Sequence, residues 1–170
     1  MTRDFVDRLA AARIGATFNQ YAGSKLRRDR LAAYLASRAD ASVLLVAEAP
    51  GYRGARISGI ALTSERQLTG RGPAEATATI VHRVLAELGI GDDVLLWNIV
   101  PTHPGTETSN RPPTRTEIEE AEPFLSELAC GRRPIAVGRL AHGRLGGPYV
   151  RHPSHGGAAA FRYGLVAALA

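Results

Sequence analysis

Short apolar runs alternate along the chain with longer stretches of helical periodicity. Residues 43–47, Val-Leu-Leu-Val-Ala, run apolar without a break straight into Glu48-Ala49-Pro50-Gly51. A run of β-branched and aliphatic residues stopped by Pro and Gly predicts a buried strand ending in a loop. Residues 94–100 repeat the pattern, with Asn98 near the carboxyl end and Pro101 following. Shorter runs at 135–137 and 149–151 predict two further strands. Between them the apolar positions recur at helical spacing. Helices are predicted at 5–12, 25–38, 74–88, from Thr116 to about Leu128 or Cys130, for a turn or two within 138–145, and at 158–169. Gly89 reads as a C-terminal cap. Thr116 reads as an N-cap, with Glu119 completing a capping box. Residues 48–72 read as a long loop, and such loops tend to carry function.

Strands alternating with helices predict an α/β chain with a small parallel sheet covered on both faces. The expected order of the four strands is 2-1-3-4. No repeat, low-complexity tract or linker divides the chain, so residues 1–170 are expected to form a single domain. No apolar run approaches the ~20 residues of a membrane span, and the charged start Met1-Thr2-Arg3-Asp4 does not read as a signal peptide. The expected location is the cytoplasm, without a membrane partner.

Composition adds a partner. The net charge is +5 with a pI near 10.0, and every basic residue except Lys25 is arginine. The planar guanidinium suits bidentate phosphate contacts, and a basic domain of this kind carries the electrostatic footprint of nucleic-acid binding. Arg27, Arg28 and Arg30 cluster at one helix start. Cys130 is the sole cysteine, which excludes a disulfide framework and any cysteine-held zinc or iron–sulfur site.

The candidate chemistry sits where the strands end. In an open α/β sheet, ligands bind outside the carboxyl ends of the strands. Glu48, Asn98 and His152 each lie at or just past such an end, so the topology brings a carboxylate, an amide and an imidazole to one edge. An amide offers a donor and an acceptor together. An imidazole can hydrogen-bond a developing oxyanion. A carboxylate can orient water or stabilise a cation. The histidines show no HxH or HExxH spacing, so no metal is expected. No GxSxG elbow, P-loop or GxGxxG motif is present.

These residues resemble the uracil-DNA glycosylase superfamily. Ala47-Glu48-Ala49-Pro50-Gly51 resembles the first motif in its GE(A/G)PG form, found in the thermophilic, family-4-type enzymes. Trp97-Asn98-Ile99-Val100 with Asn110-Arg111-Pro112-Pro113-Thr114 resembles their strand asparagine and NRxPT-like loop. His152-Pro153-Ser154 resembles the second motif. The likeness spans roughly residues 43–161. It implies a three-layer α/β/α fold that flips a damaged nucleotide into a pocket and hydrolyses its N-glycosidic bond, leaving an abasic site in base-excision repair. It further implies a monofunctional enzyme that needs no cofactor and acts on single- or double-stranded DNA as a monomer.

By the same resemblance, Glu48 and His152 are catalytic: His152 bonds the departing uracil O2, and Glu48 supports the water or the sugar cation. Asn98 reads the O4 and N3 edge, with Ala49, Gly51, Tyr52 and Leu62 completing the base site. Arg53, Arg56, Ser58, Arg111, Ser154 and His155 contact DNA. The departures from the family pattern are informative. The iron–sulfur cysteines are missing. Ala49 stands where some branches carry an Asp or Asn that handles the water, which leaves Glu48 or, second, Glu65 as the activating group. Gly51 stands where strict uracil enzymes place a Tyr that blocks a 5-methyl group, which implies tolerance of 5-substituted uracils. Leu62 lies where an aromatic ring stacks on the base. His155 is the side chain left to fill the wedge position. The alternative function is a binder of damaged or modified DNA on the same fold, non-catalytic or covalent in type. A further alternative is a doubly wound enzyme acting on free nucleotides.

Overall fold

The computed structural model describes residues 2–170. Its framework is a four-stranded, all-parallel sheet of order β2-β1-β3-β4, as expected: β1 (Val43–Ala47), β2 (Val94–Asn98), β3 (Arg133–Val137) and β4 (Tyr149–Val150). Every residue of β1 and β2 is buried, because each face of the sheet is covered by helices and both sets of alternating side chains are enclosed. Leu44 and Val46 point into one layer with Leu95 and Trp97. Val43, Leu45 and Ala47 point into the other with Leu96, Ile135 and Val137.

The first layer is built by α1 (Thr2–Ala11), α2 (Lys25–Ser37), α6 (Arg115–Ala129) and α7 (Arg139–Leu145). At its centre Phe5 meets Trp97 and Phe124 edge-on, with ring centroids 5.7 and 5.6 Å away. The second layer is built by α5 (Ala76–Leu88) and α8 (Ala158–Leu169), through Val81, Val84, Phe161 and Leu165. Strand β2 is an edge, and α2 blunts it: Tyr34 accepts the Leu96 N–H at 2.7 Å, and burial pushes its phenol pKa up to about 12.

Two predicted features differ. The stretch after β1 is not a bare loop; it carries α3 (Ala55–Ser58) and α4 (Glu65–Thr69), each ended by a left-handed glycine, Gly59 at φ +83° and Gly70 at φ +73°. The capping box of α6 lies two residues earlier than predicted. Thr114, not Thr116, is the N-cap, and Glu117, not Glu119, closes the box. Glu117 wins because it also gathers Arg111 from the preceding loop, at 2.6 and 2.8 Å, and the Thr114 N–H at 2.8 Å. Glu119 instead pairs with exposed Arg115.

Candidate active site

The carboxyl ends of β1, β3 and β4 open into one cleft of about 950 Å³. Strand β1 delivers Glu48, Ala49, Pro50 and Gly51; β3 delivers Gly138 and Arg139; β4 delivers Arg151 and His152. The floor is apolar, made of Ala47, Leu62 and Val137 from the second layer. The parallel ladder continues past the strand ends, with Ile99 N–H bonding Ala47 O at 2.8 Å and Val100 N–H bonding Glu48 O at 3.1 Å. Glu48 is thus held by its backbone in the continued β1–β2 ladder. Behind it, buried His103 sets both ring nitrogens 2.7 Å from carbonyls, Pro50 O and Thr106 O, and anchors the turn.

Glu48 is half-buried, and its side chain makes no hydrogen bond or ion pair among the described residues. Loss of hydration without a compensating partner raises its pKa above the ordinary glutamate value. His152 faces the same cleft. Its Nδ1 lies 3.2 Å from the Ser154 N–H and 2.8 Å from Ser154 Oγ. A backbone N–H only donates, so Nδ1 accepts and the ring proton of the neutral imidazole sits on Nε2. Desolvation, with His155 nearby, lowers the His152 pKa and keeps the ring neutral. Gly138, beside it, has φ +88°, a backbone conformation that favours glycine. His155 sits at φ +52°, exposed, with Nδ1 3.1 Å from Ser154 Oγ. Ser154 therefore links both imidazoles.

Asn98 is placed one step behind the cleft surface. It ends β2, pairs in register with Ala47, and is 2% exposed with Oδ1 buried and partnerless. Leu62 lines the floor in the left-handed region, at φ +51°. Tyr52, expected in the base site, is not among the residues that line the cleft; its N–H donates to Asn110 Oδ1 at 2.9 Å. Arg53 makes no side-chain hydrogen bond or ion pair among the described residues and borders the same turn.

Several expected contacts are drawn elsewhere. Ser58 is fully buried, and its hydroxyl donates to Thr63 O at 2.6 Å, so it closes a turn and cannot reach a phosphate. Glu65 is outside the cleft, in a two-pronged pair with Arg30 at 2.8 and 2.9 Å, so it is not free to activate water. Arg56 stacks on Phe18, 4.6 Å from the ring centroid, and pairs with Glu107 at 3.2 Å. Arg111 lines the cleft, yet its guanidinium is spent on Glu117. Arg27 and Arg28 bond carbonyls of neighbouring loops, Ile57 O and Tyr21 O, both at 2.8 Å.

The cleft also holds residues that sequence reasoning missed. Arg139 and Arg151 form a basic rim with no side-chain partner among the described residues. Glu75, at the N-cap of α5, puts a second carboxylate in the cleft. It does not cap its helix; its oxygens lie against Gly51 and Gly54, where any Cβ would collide with them. Like Glu48, it has no cation partner among the described residues, and burial raises its pKa. The Gly51–Gly54 spacing was the available signal, since two glycines flanking a turn leave room for another element's side chain.

The family model described as the Uracil DNA glycosylase superfamily matches residues 35–163. No curated protein matches the chain. Among solved structures, the wild-type SMUG2 of Pedobacter heparinus superposes with a TM-score of 0.68 at 12% identity, covering 99% of this chain and 95% of that one. At this identity the likeness speaks for the fold.

Proposed function

The chain belongs to the uracil-DNA glycosylase superfamily, and on that premise we propose that it is a monofunctional DNA glycosylase that hydrolyses the N-glycosidic bond of uracil, or of a 5-substituted uracil, flipped out of DNA. The observation that carries this reading is the pairing of an unpartnered carboxylate, Glu48, with a neutral Nε2–H imidazole, His152, in one cleft. The C1′–N1 bond breaks first, and its electrons move to the base. His152 donates from Nε2 to O2, where that charge collects. The sugar left behind is an oxocarbenium-like cation, and the Glu48 carboxylate stabilises it and holds the attacking water. The water oxygen bonds C1′, and its proton leaves through Glu48 to solvent. Asn98 Oδ1, buried and partnerless, is the acceptor for the base N3–H; a polar group in that state gains most from a ligand.

Arg139, Arg151 and Arg53 carry flanking phosphates in this scheme, and His155 fills the gap in the base stack. The enzyme acts as a monomer in the cytoplasm, without a metal or cofactor. Among the described residues, no helix is long and apolar enough to cross a membrane. The test is a uracil-containing oligonucleotide incubated with purified protein in chelator and then treated with alkali. Strand breaks at the uracil support the reading. Intact strands across uracil, thymine, hydroxymethyluracil, hypoxanthine and ethenocytosine, single- and double-stranded, exclude it.

A second reading, a binder of modified DNA without turnover, draws on Ala49 and Leu62, which put no water-handling side chain directly after Glu48 and no aromatic ring at position 62. Salt-sensitive, lesion-dependent binding with no strand opening would favour it, and multiple turnovers would exclude it.

A further inference from the structure

Glu75 is the one cleft carboxylate for which that mechanism has no use. Its position is unusual for a helix N-cap. The residue has extended backbone, φ −121° and ψ 128°, yet its side chain leaves the free N–H groups of α5 uncapped. Instead it lies flat on the turn closed by the Gly54 N–H to Gly51 O bond of 3.0 Å. The carboxylate fills the space that side chains at residues 51 and 54 would otherwise occupy, and it forms that wall of the cleft. No arginine, histidine or backbone N–H among the described residues satisfies it.

We propose that the Glu75 carboxylate, seated on Gly51 and Gly54 with no partner, selects for pyrimidines that present a hydrogen-bond donor at position 5. The inference rests on the glycosylase reading above. A uracil ring has three polar or substitutable edges. His152 takes O2 and Asn98 takes the N3 and O4 edge, so the C5 edge is left for the wall at Gly51. An ionised carboxylate accepts hydrogen bonds and cannot donate them. A hydroxymethyl group facing it forms a charge-assisted bond. A formyl group of similar size turns a carbonyl oxygen towards it and is repelled, and a methyl group buries it without a partner. Sites built around such a group reject analogues lacking the matching partner far more strongly than apolar pockets reject a size change.

The experiment is single-turnover excision from otherwise identical oligonucleotides carrying 5-hydroxymethyluracil or 5-formyluracil, with the wild type, Glu75→Gln and Glu75→Ala. Leaving-group ability differs between these bases, but it cancels when their rate ratio is compared across proteins. The hydroxymethyl-to-formyl ratio is expected to fall at least about tenfold in Glu75→Ala. It falls less in Glu75→Gln, whose amide oxygen still accepts and whose shape is retained, so the Gln variant alone decides the matter if the Ala variant fails to melt as a folded protein. A ratio within twofold of wild type in the folded variants overturns the proposal while the glycosylase reading stands. A wild type that releases neither base nor uracil removes the glycosylase reading, and this inference with it.

Discussion

Glutamates in the cleft and at the start of α6 behave in opposite ways. Glu117 is buried, with 2% of its side chain exposed, and is supplied with donors by both arms of Arg111 and by the Thr114 N–H. Those partners, Arg111 above all, hold its pKa down to about 2. Glu48 and Glu75 have no such partners among the described residues, so desolvation pushes theirs up. The residue type is the same, and desolvation pushes all three pKa values in the same direction. Partners decide it. The paired carboxylate locks the Arg111–Thr114 loop onto α6. The unpaired ones keep unspent hydrogen-bonding capacity at the place where a ligand arrives, which is the usual mark of a functional site.

The comparison breaks most visibly if Glu48 proves dispensable. Glu48→Gln and, separately, His152→Ala are expected to cut single-turnover uracil release by roughly 10²–10³-fold, and rates within a fewfold of wild type would reduce these groups to bystanders. On the paired side, Arg111→Ala strands a buried carboxylate. Urea unfolding should show a loss of about 3 kcal/mol, against little or none if the pair is only a surface contact.

Acid sharpens the contrast because the signs differ. A depressed carboxylate stabilises the fold above its unfolded-state pKa and loses that contribution as pH falls through the folded one. The Glu117 contribution is therefore complete at neutral pH and disappears between about pH 4.5 and about 2. Glu48 and Glu75 cost stability as pH rises past the ordinary glutamate range, since the fold disfavours their charged forms. Glu75→Gln should accordingly raise the melting temperature at pH 7, and the gain should vanish near pH 4. A lower melting temperature at pH 7 would mean that Glu75 has a stabilising partner in solution. The smallest effect is at the rim. Arg139→Ala and Arg151→Ala should each weaken DNA binding modestly and reduce the slope of log affinity against log salt by about 1, as read from fluorescence anisotropy.

Much of the fold was legible because the pattern of apolar residues is a local signal. Residues 43–47 and 94–97 are apolar without a break, as strands covered on both faces tend to be, and Asn98 alone ends the second strand with a polar side chain. The alternation with helices then leaves few topologies, and β2-β1-β3-β4 is the observed one. Helix ends were harder. The α6 cap moved by two residues because Thr114 and Thr116 offer the same local chemistry, and the choice between them was made by Arg111 docking on Glu117. Among site residues, Glu48 and His152 were legible from their place after strands, and the structure sets both in the cleft. Ser58, Glu65 and Arg56 looked equally available, but a turn, Arg30 and Phe18 claim them.

By itself, then, the sequence determined the layers, the strand order and the edge at which the chemistry gathers, since all of these follow from periodicity and from residues adjacent in the chain. It also determined the family, through motifs that are local strings. Only the tertiary structure decided which polar groups are free. Hydrogen-bond partners come from distant parts of the chain, 35 residues away for Arg30 and Glu65. Glu75 entered the cleft because two glycines on another element left it a seat. Charge that finds a partner becomes structure, and charge that finds none stays available for chemistry.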